Sequence, residues 1–262
     1  MALLLSVLEQ GMIYGILALG VYITYKILDF PDLTVDGSFP FGAAITVRLI
    51  NGFGVPEILT LPIAFLGGAL VGICTGLIHV KLKVRDLLSG IIMMTGLYTI
   101  NLWVAGSGYV AIFDKDNIFN NNFVNSITPD FLVNFKNVII IFLITMVAKY
   151  LLDWYMSTKS GFLLRAVGDN DTIVTSLGVD KGLVKIVGLS IANGLVSLSG
   201  CIYAQQQRSF EISIGTGAVV IGLASVIIGT SLFKKVTFFC VTSSVVVGRS
   251  VIHIGRCRRS TL

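Results

Sequence analysis

From Ser6 to Phe233 the sequence is a succession of apolar runs, most of them long enough to cross a bilayer, joined by short polar connections. A helix rises 1.5 Å per residue, so about 20 residues span the hydrocarbon core. Inside lipid every backbone polar group must find a partner within the protein, which a helix provides by itself. The expected fold is therefore an all-α polytopic transmembrane helix bundle of about seven to eight spans, one of them short and broken. Composition agrees. Only 13% of residues are charged, half the roughly 25% that keeps a soluble domain in water. The mean hydropathy is +0.89.

The runs cover Ser6 to Leu28, a shorter helix from Ser38 to about Ile50, Glu57 to Val80, Asp86 to Trp103, Asn137 to Trp154, Leu183 to Ala204 and Ile214 to Phe233. A weaker run extends from Val236 to Ile254. The first run has no basic residues before it and no small-residue cleavage site after it, so it reads as a retained span, not a signal peptide.

The net charge of +5 predicts no nucleic-acid partner, because the basic residues sit in short connections between apolar runs. Lys81, Lys83 and Arg85, then Lys159, Arg165 and Lys181, then Lys234 and Lys235 alternate with the acidic Gly106–Lys136 connection. The positive-inside rule puts the basic connections in the cytoplasm and the acidic one outside. Cys74, Cys201, Cys240 and Cys257 show no CxxC spacing and predict neither a disulfide framework nor a metal site.

Gly68, Gly72 and Gly76 recur every four residues, as do Gly11 and Gly15. Such stripes lie on one helix face and let another backbone come close, inside the bundle or at a dimerisation face. Glu9, Lys26, Glu57, Lys149, Lys185 and His79 all fall near span ends. The absence of ionisable groups at mid-span weighs against a proton-coupled carrier. No GxxxxGK[ST] loop, HExxH pair or GxSxG elbow occurs, so neither ATP binding nor catalysis is expected of this chain, and no cofactor.

Two polar segments carry the functional reading. The first, Asp29-Phe-Pro-Asp-Leu-Thr-Val-Asp-Gly-Ser38, interrupts the apolar pattern with Pro31 and Gly37. Its backbone must lie against protein, water or the interface. Asp36 or Ser38 can cap the following helix, and Asp32, Thr34, Asp36 and Ser38 are candidates for a translocation path. The second runs from Tyr155 to Gly182. Phe162, Leu163, Ala166 and Val167 suggest a short amphipathic turn with Arg165 facing away and Gly168 ending it. Asp169 or Asn170 would cap a further turn that stops near Gly178.

Gly161-Phe-Leu-Leu-Arg-Ala-Val-Gly-Asp-Asn170, followed by Ser176-Leu-Gly-Val179, resembles the coupling loop of bacterial ABC importer permeases of the branched-chain amino acid and ribose type. Asp32-Leu-Thr-Val-Asp-Gly-Ser38 resembles the family's signature before its second span, and Ile214 to Gly229 resembles its glycine-rich late span. Within the family, Leu28 to Ala44 looks closest to tryptophan/tyrosine-type permeases. The resemblance implies a permease subunit in the bacterial inner membrane that translocates a small polar solute, an amino acid in the nearest branch. It also implies a separate ATP-binding subunit docked on Gly161, Arg165, Gly168, Asp169, Asn170 and Gly178. An extracytoplasmic solute-binding protein and a second permease copy, or a related permease, would complete the assembly. A self-contained secondary transporter or channel is the alternative.

The expected domain division is a permease domain over 1–235 and an atypical segment over 236–262. Arg249 interrupts the last apolar run, and Arg256, Arg258 and Arg259 would emerge outside if it spanned. A frameshift or truncation would explain this ending; an interfacial helix is the alternative.

Overall fold

The structure is a computed structural model that describes residues 2–112, 117–119, 135–170, 174–175 and 178–232. The described residues form eight α-helices and one two-stranded sheet: α1 (Ala2–Tyr22), α2 (Val35–Arg48), α3 (Glu57–Lys81), α4 (Asp86–Ala105), β1 (Tyr109–Ala111), α5 (Lys136–Met156), α6 (Lys159–Asp169), α7 (Lys181–Gln207), β2 (Ser209–Glu211) and α8 (Ala218–Leu232). Six helices among the described residues are long and apolar enough to cross a membrane, and α2 is the short one the sequence predicts. The weak run at 236–254 and most of the acidic 106–136 connection lie outside the described residues.

The helix ends follow local chemistry. Asp180 caps α7, its Oδ1 accepting the Gly182 N–H at 2.8 Å. Glu57 and Asp86 sit in the first turns of α3 and α4, where the helix dipole favours negative charge. His79 and Lys81 occupy the last turn of α3. Gly106 ends α4 in the left-handed region at φ +79°, a conformation that costs glycine little.

Two ends are looser. α1 runs on into a π-helical turn, Ile23–Ile27, and α2 into another, Leu49–Phe53. Turns of this kind are rare and frequently sit at functional positions.

The centre of the bundle is α7, which packs on α1, α2 and α3. About two thirds of the spanning windows of α1 and α7 are buried, against 22% for α4 and α5, which lie at the periphery. Close approach is a matter of side-chain size. A Cβ on Gly68 or Gly72 would overlap the carbonyl oxygens of Asn193 and Leu189, and one on Gly76 would lie 2.9 Å from Ile186 Cγ1. The three-glycine stripe of α3 therefore serves the α3–α7 seam inside the bundle. Gly42 and Gly200 do the same between α2 and α7.

β1 and β2 pair antiparallel, with Val110 opposite Phe210. They tie the end of α4 to the end of α7.

Candidate functional site

The break between α1 and α2 lies against protein. Thr34 and Ser38 are fully buried and Asp32 is 5% exposed, while Asp36 is intermediate. Phe30 N–H donates to Thr24 O at 2.9 Å, and the Phe30 ring meets His79 edge-on with centroids 5.2 Å apart. Asp29 adopts φ +50° at the corner.

Asp32 turns back on its own strand of chain and outward to α7. Its Oδ1 accepts the Thr34 N–H at 2.8 Å, and its Oδ2 accepts from Asn193 Nδ2 at 2.8 Å. Asn193 in turn accepts the Ser38 hydroxyl at 2.8 Å and donates to Leu189 O at 3.1 Å. Thr34 Oγ1 and Thr75 Oγ1 lie 3.2 Å apart, adding α3 to the cluster. One carboxylate, one amide and three hydroxyls thus join the break, α2, α3 and α7. No lysine or arginine among the described residues forms an ion pair with Asp32.

Neither Asp36 nor Ser38 caps α2; its N-cap, Thr34, makes no side-chain capping bond. Asp36 reaches α8 instead. Its carboxylate accepts the Gly217 N–H at 3.2 Å and the Val219 N–H at 2.8 Å. Pro40 explains the neighbouring geometry. Lacking an N–H, it leaves the Asp36 carbonyl without its helical donor, and Gly215 packs directly on that oxygen, where a Cβ would overlap it.

On the end of the molecule that carries Lys81, Lys83 and Arg85, α6 forms a short helix capped by Thr158, whose hydroxyl faces the Gly161 N–H at 3.4 Å. Its packed face differs from the expectation. Gly161, Leu164 and Val167 are buried, whereas Phe162 is 61% exposed and shares the outer side with Arg165 and Asp169. Helical spacing decides this. Positions 161, 164 and 168 align on the face that touches the bundle, and 162, 165 and 169 align on the other.

Gly168 does not end the helix, which continues to Asp169 and closes with the Asn170 N–H on Ala166 O at 2.9 Å. Its role is contact. A Cβ on Gly168 would overlap the carbonyl oxygen of Ile27, the last residue of the π turn after α1. Gly188 of α7 makes room beside it for Leu164 and Leu28. Gly178 takes φ +74°, its N–H on Thr175 O at 3.1 Å. The second short helix expected before it lies largely outside the described residues.

A further polar cluster sits at the opposite end of α7. Gln205 Nε2 donates to Thr60 Oγ1 at 2.8 Å, and Gln205 Oε1 accepts the Ile118 N–H at 3.3 Å. Gln206 Nε2 donates to Glu9 Oε2 at 3.0 Å. Sequence reasoning passed over Asn193, Gln205 and Asn101, the last of which donates to Gly37 O at 3.1 Å. For Asn193 and Asn101 the signal was a lone amide within an apolar run, a residue type that cross-links helices in membranes, whereas Gln205 opens the polar run that ends α7.

An apolar cleft runs between α3, α5 and α7, lined by Leu61, Phe65, Ile144, Leu151 and Leu195. Its wall is almost wholly apolar, so it suits lipid and not a polar solute.

Among the described residues no group of acidic, histidine or cysteine side chains could hold a metal ion.

The family model described as "Branched-chain amino acid transport system / permease component" matches residues 3–251. The chain is 42% identical over 246 residues to a tyrosine transport system permease protein of Clostridioides difficile, covering 94% of this chain and 79% of that one. It is 26% identical to the ribose import permease protein of Escherichia coli, over 87% of this chain and 70% of the relative. It shares 26% with a probable branched-chain amino acid transport permease protein of Methanocaldococcus jannaschii, over 82% and 70%. No solved structure gives a significant match. An integral, multi-pass helical membrane protein with this match has one reading: the chain belongs to the permease family of branched-chain amino acid transport systems.

Proposed function

We propose that the chain is the membrane-spanning subunit of an importer in the bacterial inner membrane, moving an amino acid and driven by a separate ATP-binding subunit. The observation that carries this reading is the build of α6. One face is fixed to the end of the first span through Gly168 and Leu164, and the other presents Phe162, Arg165 and Asp169 outward. An exposed aromatic beside a guanidinium is the surface composition that protein interfaces favour. A lever rooted on a transmembrane helix and offering such a face suits a cytoplasmic ATPase. Gly161, Asn170 and Gly178 shape the ends of that face and the chain beyond it.

On this reading a solute-binding protein delivers the amino acid outside, and a second permease copy or a related permease completes the pathway. The break that holds Asp32, Thr34, Asp36 and Ser38 borders the path, positioning α2 beside it. Tyrosine heads the solute candidates, because the 42% identical relative is named for tyrosine transport.

The test is hydrolysis. The chain, its ATP-binding subunit and its binding protein are co-reconstituted, and ATP turnover is measured with L-tyrosine, L-leucine or ribose. Stimulation by an amino acid but not by ribose is expected. Stimulation by ribose alone would overturn the solute assignment, and failure of any ATP-binding subunit to associate would overturn the reading itself.

A further inference from the structure

We propose that the Asp32–Asn193 pair is the joint that passes displacement of α6 into α2, which makes both side chains positioning residues for solute movement. The inference rests on the reading of α6 as the ATPase-docking helix.

The contacts form an uninterrupted sequence. Gly168 of α6 lies on the Ile27 carbonyl, and Leu164 of α6 meets Leu28 in the space left by Gly188. These are the residues where the π turn after α1 gives way to the break. Five residues beyond Ile27, Asp32 is tethered by Asn193 Nδ2 at 2.8 Å. Asn193 holds Ser38, in the first turns of α2, at 2.8 Å through its other amide atom. A push on Ile27 and Leu28 therefore meets two cross-element side-chain anchors before it reaches α2, Asp32 on Asn193 and Thr34 on Thr75, and of their partners only Asn193 also holds α2, through Ser38. A π-helical turn holds an extra residue in its ring, and such turns are frequent at functional sites.

The chemistry of the pair suits a joint better than a weld. Asp32 is nearly fully buried and its partners are all neutral. Asn193 spends both amide atoms on the break, on α2 and on its own helix at Leu189 O. Breaking the Asp32–Asn193 bond would uncouple Asp32 from the amide that holds α2, with Ser38 still on the Asn193 oxygen. The cluster contains no other side chain that bonds both segments.

An exchange of the two side chains tests this. Asp32→Asn leaves a single acceptor oxygen for two donors, the Thr34 N–H and the Asn193 amide. Combined with Asn193→Asp, the donor moves to position 32 and the acceptor to 193, where it still receives Ser38. In the reconstituted complex, Asp32→Asn should keep basal ATP hydrolysis and lose at least ten-fold of the solute-stimulated component. The exchanged double variant should recover stimulation to within about three-fold of the parent. Melting temperatures of the isolated permease are measured alongside. Normal stimulation in Asp32→Asn, or a double variant that regains melting temperature without stimulation, would overturn the proposal. If the double variant does not accumulate in membranes, Ser38→Ala replaces it. A several-fold loss of stimulation at unchanged basal turnover supports the joint, and parental stimulation overturns it. Absence of stimulation in the parent complex with L-tyrosine, L-leucine and ribose alike would strike the ATPase reading and the joint together. Loss confined to the variants keeps the two apart.

Discussion

The Asp36 carboxylate, in the first turn of α2, holds the backbone N–H groups of Gly217 and Val219 at 3.2 and 2.8 Å and so caps the start of α8 from another helix. The polar interruption before α2 and the glycine-rich start of the late span, far apart in sequence, are one structural unit. Asp36 closes the orphan donors at the start of α8, and the oxygen that Pro40 leaves free rests on Gly215. Replacing Asp36 by Ala removes the cap and the charge at a helix N-terminus, a loss of about 1–2 kcal/mol. The melting temperature in detergent should fall by about 2–6 °C. Asp36→Asn keeps one acceptor and should fall less. Equal melting of parent and Asp36→Ala would contradict the cap.

The glycines make a contrasting pair. Ala at Gly72 would drive a methyl into the Leu189 carbonyl at the α3–α7 seam, while the same change at Gly96, with nothing within 4 Å, meets open space. Gly72→Ala should destabilise by about 1–3 kcal/mol, and Gly96→Ala should stabilise by up to about 1 kcal/mol through helix propensity. Thermal unfolding in one detergent reads both.

On α6 the two faces should separate two effects. Arg165→Glu alters only the outer face, so it should abolish association with the ATP-binding subunit and leave the permease's melting temperature unchanged. Gly168→Ala forces α6 off Ile27. It should lower the melting temperature and uncouple hydrolysis from solute even where the ATPase still binds. Co-purification, melting and stimulated turnover on the same two variants check this.

Most helix positions were legible because lipid leaves the backbone so few options. Glu57, Asp86 and the left-handed Gly106 mark boundaries by chemistry that acts within a single turn. The glycine stripe at 68, 72 and 76 was legible as a close-packing face, though not its partner, since the sequence left bundle and dimer open. What stayed hidden depends on long-range partners. Asn193 looks like an isolated amide until Asp32, 161 residues away in sequence, is placed beside it. The three-residue strands β1 and β2 are too short to show an alternating pattern, and their pairing joins opposite halves of the chain. Phe162 was assigned to the packed face because apolar residues usually are. Its exposure is a property of the helix's register against α1 and α7.

Membrane orientation is open to labelling. With the four native cysteines replaced by serine, Leu82→Cys and Phe53→Cys put thiols at positions 70% and 71% exposed. The basic connection at Lys81–Arg85 should face the cytoplasm. A membrane-impermeant maleimide added to intact cells should label position 53 and spare position 82. Inverted vesicles should reverse the result, and labelling of position 82 in intact cells would contradict the orientation.

Uptake into proteoliposomes separates a permease driven by a separate ATPase from one that works alone. Vesicles carry the permease and its ATP-binding subunit with ATP trapped inside, and the binding protein loaded with radiolabelled amino acid is added outside. Accumulation should require luminal ATP and disappear when the ATP-binding subunit is omitted. Accumulation by the permease alone, driven by a sodium or proton gradient without ATP, would contradict a separate ATPase as the driver.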